Sequence, residues 1–191
     1  MIQENKQAWV LAGYDMFSQA GPEGLKVEVL ARRVGKSKSS FYHHFADLEV
    51  FTELLLAHHL NRVVVIVEQE KRCKSVVPEL VHVLLEVKQD LLFNRQLRIN
   101  RDMPGFRPCF EQTNRYAAEA VLDIWAEMLG LHDNSGLAQL VLGLTLENFY
   151  LQITEKTLTY EWLVGYLKEL QTMVKKIQQT GVQQAALYGS V

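Results

Sequence analysis

The chain has 191 residues, 48% of them hydrophobic, and a formal net charge of −2 at pH 7. This length allows one large or two small domains with a sizeable core. The chain has two cysteines, Cys73 and Cys109, which are too few for a disulfide framework and whose spacing matches no zinc-ligand pattern. The N-terminus lacks the basic-then-apolar pattern of a signal peptide, and no apolar run approaches the ~20 residues that a membrane helix needs. We therefore expect a cytoplasmic protein that does not enter the membrane.

Long stretches without glycine or proline, with apolar residues at helical spacing, predict an all-α protein of about nine helices. In chain order the predicted helices cover residues 4–19, 27–34, 38–45, 47–71, 76–93, 95–102, 108–130, 136–155 and 159–179. Gly21-Pro22 should end the first helix, and Gly35 the second. The run VVVIV at 63–67 favours a strand locally, but no turn residue separates it from the helical pattern before it, so we predict a helix there too.

The third predicted helix has two different faces. Ser37 suits its N-cap, and residues four apart share a face, so Lys38 lies beside Tyr42. Ser39 and His43 form the next such pair. Phe41 and Phe45 point the other way, into a small core that should also contain Val10, Tyr14, Leu30 and Val34. A helix, a glycine-containing turn and a second short helix make a helix-turn-helix, whose second helix enters the DNA major groove.

The charge distribution agrees with this interpretation. Residues 26–45 carry five positive side chains and Glu28, a local net charge of +4, which leaves −6 for the rest of the chain. One basic end on an acidic protein is typical of a DNA-binding module, although a merely solvated polar helix would look similar. The predicted DNA-binding residues are Lys26, Lys36, Ser37, Lys38, Ser39, Ser40, Tyr42, His43 and His44. Candidates for base contacts are Lys38, Ser39 and His43, and candidates for phosphate contacts are Tyr42, His44, Ser37 and Lys26.

The stretch VEVLARRVGKSKSSFYHHFADLEVF resembles the DNA-binding region of the TetR family of bacterial transcriptional repressors. The matching residues are Val27-Glu28-Val29-Leu30-Ala31, Gly35, Ser37-Lys38 and Phe41-Tyr42-His43-His44-Phe45. The resemblance covers about residues 5–55 and implies that the helix from Lys38 is the recognition helix, with Tyr42 and His44 on phosphates. Three positions depart from the family pattern. Lys26 stands where the family usually has a Ser or Thr helix cap, and Lys36 stands where it usually has a small apolar residue. Leu48 stands where a phosphate-binding lysine is common.

The last two long predicted helices carry apolar residues on more than one face. On the first, Leu140 and Leu144 belong to one stripe, and Leu142 and Phe149 to another. A helix that is apolar on two sides needs cover from two directions. We therefore predict a two-fold dimer through residues 136–179, with a single large helical core as the alternative. The predicted domains are a helix-turn-helix domain, 1–47, and a ligand-binding and dimerisation domain, 48–191.

The resemblance also implies a mechanism. Two recognition helices read a palindrome when they sit about one DNA turn apart, ~34–36 Å, and a small effector that prefers another spacing releases the operator. The aromatic candidates for the effector cavity are Phe93, Phe110, Tyr116, Trp125, Phe149 and Tyr150. Five arginines within 95–115 leave an anionic ligand conceivable, but an arginine-rich solvated surface is the simpler interpretation. We expect a ligand-responsive regulator, a repressor by family frequency.

Other classes of protein are poorly supported. The pairs His43-His44 and His58-His59 are adjacent and so point in different directions on a helix, and no HExxH or nucleophile-elbow motif occurs. We expect no enzyme activity, no metal site and no cofactor. The main alternative is a helical dimer that binds a ligand or a protein without binding DNA.

Overall fold

The computed structural model describes the backbone of residues 2–188 and the side chains of residues 6–180. The described residues form nine α-helices and no strand. The helices are α1 (Ile2–Gly24), α2 (Val27–Val34), α3 (Lys38–His44), α4 (Leu48–Glu70), α5 (Val81–Glu86), α6 (Lys88–Ile99), α7 (Phe106–Leu129), α8 (Ser135–Gln152) and α9 (Tyr160–Tyr188). The predicted all-α architecture, with an N-terminal helix-turn-helix and a larger helical domain, is confirmed.

The helix stop predicted at Gly21-Pro22 is confirmed in the backbone. Gly21 takes φ +65° and ψ −162°, which interrupts the helical geometry of α1, and only a short turn follows as far as Gly24. Other predicted boundaries differ from the structure. The two helices predicted at 76–93 and 95–102 are wrong, since Val76–Leu80 is an irregular turn in which Val77 leaves helical geometry, and α6 spans the gap between them. Pro78 has no N–H to donate within that turn, and Val87 leaves helical geometry between α5 and α6. α9 also runs beyond 179, to Tyr188.

The local signals around the helix-turn-helix are confirmed. Gly35 ends α2 in the left-handed conformation, with φ at +69°. The Ser37 hydroxyl accepts from the Ser40 N–H at 3.1 Å, and the Asp47 carboxylate accepts from the Val50 N–H at 2.9 Å. These caps satisfy N–H groups that the first turn of each helix leaves without a partner, so α3 and α4 begin where the sequence predicts.

Phe41 and Phe45 enter the N-terminal core as predicted. Tyr14 and Leu30 belong to the same core, and Val10 and Val34 pack against it. The rings of Phe41 and Phe45 lie 5.5 and 6.5 Å from Trp9, and 5.4 and 4.8 Å from Phe51. Tyr14 extends this core to α6, where it stacks on Phe93 with 4.3 Å between ring centroids.

α1 and α4 position the helix-turn-helix on the rest of the molecule. α1 packs along α6 and also contacts α4, while α4 packs on α7. α1 comes so close to α4 at Gly13 that a Cβ atom there would lie 2.5 Å from the Phe51 ring. The second core lies among α4 to α9 and includes Trp125, Leu142 and Ile153.

α4 has the length and hydropathy of a membrane-spanning helix, although we expected no such segment. Its buried residues include Phe51, Leu55, Val63 and Ile66, and it contacts α1, α6 and α7. We therefore interpret α4 as a core helix of this fold, since a helix that packs against several other helices is apolar on more than one side.

Candidate DNA-binding surface and ligand cavity

α3 turns a polar face to solvent. Lys38, Ser39 and His43 are exposed, and Tyr42 is 55% exposed with its ring edge-on against Phe41, which is fully buried. One side of this short helix is therefore locked into the core by its aromatic residues. The other side offers an ammonium group, hydroxyls and an imidazole, which are suitable donors and acceptors for base edges and phosphates.

The remaining predicted DNA-binding residues surround this face. Exposed members are Lys26, Lys36 and Ser37, and partly buried members are Ser40 and His44. Lys26 occupies the N-cap position of α2, where its ammonium group cannot accept from the free N–H groups, and its side chain is exposed to solvent. The structure thus brings the nine predicted residues together on α2, the turn and α3.

One contact of this face was not predicted. The Lys38 ammonium donates a hydrogen bond to the Glu28 carboxylate of α2. This hydrogen bond holds the pKa of Glu28 below its usual range. Both side chains are more than half exposed, and exposed ion pairs are weak. The pair is therefore weak enough for another acceptor to draw Lys38 away from Glu28.

A cavity lies in the larger domain between α4 and α9. The cavity has a volume of about 80 Å³. The walls are aliphatic and aromatic, with residues from α4, α5, α6, α7, α8 and α9. A concave, mostly apolar site with few polar groups is the usual form of a small-molecule site.

Three of the six aromatic candidates line this cavity: Trp125, Phe149 and Tyr150. The other three lie elsewhere. Phe93 is stacked between Tyr14 and His59, Phe110 lies 4.7 Å from the Arg98 guanidinium, and Tyr116 accepts a hydrogen bond from Gln112. Aromatic residues at helical spacing mark core positions in general, so the sequence pattern did not separate the two groups.

The arginines of 95–115 also lie outside the walls of the cavity. Arg98 is buried and bonds to Glu147 and to Asn114, Arg101 pairs with Glu147, and Arg107 pairs with Asp102. Because no arginine belongs to the described walls of the cavity, the structure gives the anionic-ligand interpretation no support.

Glu70, the last residue of α4, is a cavity residue that the sequence did not indicate. It is only 5% exposed, and its Oε2 atom has no hydrogen-bond partner among the described residues. Burial raises the pKa of Glu70 to about 7. The indole Nε1 of Trp125, in the wall of the same cavity, also has no partner in the described part of the chain.

We expect Glu70→Gln to stabilise the protein above pH 7. The pKa of Glu70 is higher in the folded than in the unfolded chain, so its favourable contribution is complete below the unfolded value of 4.5 and is lost as pH rises through about 7. The difference in unfolding free energy between the variant and the wild type should therefore shift in favour of the variant by roughly 2–3 kcal/mol from pH 4.5 to pH 8. Urea denaturation at several pH values measures this. A pH-independent difference from the wild type would contradict the assignment.

A buried polar network joins α1, α4 and α6. The Tyr14 hydroxyl donates to Asp90 Oδ1 at 2.7 Å and lies 2.6 Å from His59 Nδ1. Arg62 donates twice to Asp90, at 2.7 and 2.6 Å. Desolvation opposes the charge of Asp90, but the hydrogen bonds from Arg62 and Tyr14 hold its pKa below the usual value. Burial lowers the pKa of His59 to about 4, so the imidazole is neutral near pH 7.

These features define the class: an all-helical protein with a short, exposed polar helix α3 at one end and an apolar cavity in the larger domain. Residues 10–49 match the family model of the bacterial regulatory proteins, tetR family. The helix-turn-helix region is similar to this family, and the resemblance read from the sequence is confirmed.

Solved structures show the same fold over nearly the whole chain. One is a transcriptional regulator of the TerR/AcrR family from Aquifex aeolicus VF5, with a TM-score of 0.59 and 19% identity over 91% of this chain and 99% of that one. Another is described as a TetR-family transcriptional regulator from Mesorhizobium loti MAFF303099, with a TM-score of 0.54 and 15% identity over 93% and 98%. No curated protein sequence matches the chain significantly.

Proposed function

We propose that this protein is a cytoplasmic ligand-responsive transcriptional repressor. It binds a palindromic operator as a homodimer through α3 and releases it when a small effector occupies the cavity. The observation that carries the proposal is the two-sided α3, with Phe41 and Phe45 buried and Lys38, Tyr42 and His43 exposed. In this proposal residues 1–47 form the DNA-binding domain, and residues 48–191 bind the effector and the partner subunit.

The proposed dimer surface consists of the exposed apolar residues of α8 and α9. Leu140, Leu144 and Leu151 on α8, and Met173 and Ile177 on α9, are each more than half exposed. The second stripe of α8, which includes Leu142 and Phe149, is buried within the subunit. One subunit thus covers one face of α8, and a second copy would cover the other.

α4 is the proposed connection between effector and DNA. It begins at Leu48, three residues after the buried Phe45, and ends at Glu70 in the cavity wall. The helix is roughly 34 Å long by the ordinary rise per residue. The contacts of Tyr14 and Asp90 with α4 couple its position to α1 and α6. A ligand that prefers another position of α4 would change the spacing of the two recognition helices.

Selection of bound fragments from random DNA, read by sequencing, tests this function. We expect an enriched palindrome whose half-site centres are one helical turn apart, with affinity that falls steeply as salt increases. A chain that enriches no sequence and shows no salt-dependent retention would instead be a helical dimer that binds a ligand or a protein without DNA.

On the selected operator, two classes of variant should behave differently. Tyr42→Ala and His44→Ala should weaken binding to all sequences alike, because phosphate contacts carry no sequence information. His43→Ala and Lys38→Ala should relax the preference at particular base pairs, by about 1–3 kcal/mol each. Fluorescence anisotropy on the operator and on single-base variants measures both effects. Equal affinity of all four variants and the wild type would refute these roles.

A further inference from the structure

The cavity holds an unsatisfied acidic group in apolar surroundings. Among the described residues, Glu70 is the only charged one in the cavity walls, and the cavity surface is mostly apolar through residues such as Val121, Leu142 and Phe149. Burying a polar group without a partner costs free energy. Within the described structure the Glu70 carboxyl group has this character. A ligand that donates a hydrogen bond to it, or carries a positive charge next to it, would remove this cost.

We propose that the cavity binds a lipophilic monocation whose positive group lies against the Glu70 carboxylate. This inference rests on the proposed function, because it names the chemical class of the effector. A monocation neutralises the one charged wall residue, while its apolar body replaces water along the aliphatic and aromatic walls. Phe149, Tyr150 and Tyr166 add aromatic faces, which attract ammonium groups.

The surroundings of Glu70 select against other ligand charges. An anion would meet the carboxylate without a cation among the described wall residues. Arg98 contacts the ring of the wall residue Tyr150 at 4.7 Å but bonds to Glu147, which also pairs with Arg101. Among the described residues, no group of three or more His, Cys, Asp and Glu side chains could hold a metal ion. A neutral ligand could bind next to the protonated carboxyl group, but it would not gain the electrostatic attraction that a cation has for ionised Glu70.

The other titratable groups near Glu70 stay neutral across the relevant pH range. Burial raises the pKa of Tyr150 on α8 and of Tyr166 on α9 to about 12. Burial also raises the pKa of the Cys73 thiol, which follows α4. α5, α6 and α7 contribute no charged residue to the walls. The pH dependence of cation binding should therefore follow Glu70 alone, with affinity rising as pH increases through the titration of its carboxyl.

The test uses three probes with one shared body: 4-phenylbutyltrimethylammonium, 4-phenylbutanol and 4-phenylbutyrate. The quaternary ammonium keeps its charge at every pH. Calorimetry at pH 8 should give the cation an affinity about tenfold or more above that of the alcohol, and this preference should shrink at pH 5.5. Glu70→Gln should remove both the preference and its pH dependence. Glu68→Gln, two residues earlier and exposed to solvent, is the matched control and should keep both.

Equal binding of the three probes, no binding of any probe, or a cation preference that survives in Glu70→Gln would overturn the proposal. The pH dependence of the wild type tests it even if a variant folds poorly. Operator release is measured separately by anisotropy. Cation binding that depends on Glu70 but leaves the operator bound would support the ligand class and contradict the effector role. Failure to retain DNA without any probe would contradict the proposed function alone.

Discussion

Asp90→Ala should lower the free energy of unfolding by about 3–4 kcal/mol. Asp90 is 4% exposed and accepts hydrogen bonds from Tyr14 and from two nitrogens of Arg62. Its removal leaves the buried Tyr14 hydroxyl with only His59 beside it and Arg62 without its carboxylate. The Arg62 side chain is 46% exposed, so water can solvate its guanidinium after Asp90 is removed. The expected loss of unfolding free energy is therefore at the lower end of the range for a broken buried ion pair. Urea denaturation at pH 7 measures the loss.

Asp123→Ala is the control for Asp90→Ala, because Asp123 is exposed on α7 and should change stability by less than about 0.5 kcal/mol. Tyr14→Phe should cost less than Asp90→Ala, since it removes one hydroxyl and leaves the Arg62–Asp90 pair intact. Indistinguishable stability of Asp90→Ala and Asp123→Ala would show that the network does not hold α1, α4 and α6 together.

Leu144→Arg should convert the proposed dimer to a monomer and lower the affinity for a two-half-site operator roughly a hundred- to ten-thousandfold, because two linked binding events become one. Leu144 is 65% exposed, so the arginine disturbs no core within the subunit. It would place an unpaired charge in an apolar interface. Size-exclusion chromatography with light scattering gives the mass, and anisotropy gives the affinity for one and two half-sites.

Val65→Arg is the matched control for Leu144→Arg. Val65 is 62% exposed on α4, which is not part of the proposed α8–α9 interface, so this variant should remain a dimer and bind as the wild type does. The affinity of Leu144→Arg for a single half-site should also stay unchanged, since α3 is far from the substitution in sequence and in fold. A dimeric Leu144→Arg with normal operator affinity would place the interface on another surface.

Function-related features that depend on local chemistry were predictable. The N-caps Ser37 and Asp47 and the left-handed Gly35 follow from side-chain reach and backbone freedom within a few residues. The two-sided α3 follows from helical periodicity alone. The break between α5 and α6 was missed, because the apolar spacing of 76–93 continues through Pro78 and Val87 without an obvious stop.

The candidate cavity was predictable only in part. Trp125, Phe149 and Tyr150 line it, whereas Phe93 belongs to the α1–α4–α6 contact, and all four look alike as aromatic residues on helices. In the sequence, nothing distinguishes Glu70 from an ordinary solvent-exposed polar residue at the end of a helix. Its burial depends on tertiary structure, because Glu70 shares a cavity with residues of α8 and α9, more than 60 residues later in the chain.

By itself the sequence determined the helical class, the helix-turn-helix and the exposed polar face of α3, because each depends on periodicity and capping over one or two turns. Only the tertiary structure decided that Lys38 meets Glu28, that Tyr14 bonds to Asp90, and that Glu70 lies without a partner in an apolar cavity. Those contacts depend on which helix faces meet, and that choice is made by packing between distant segments, which no local pattern encodes.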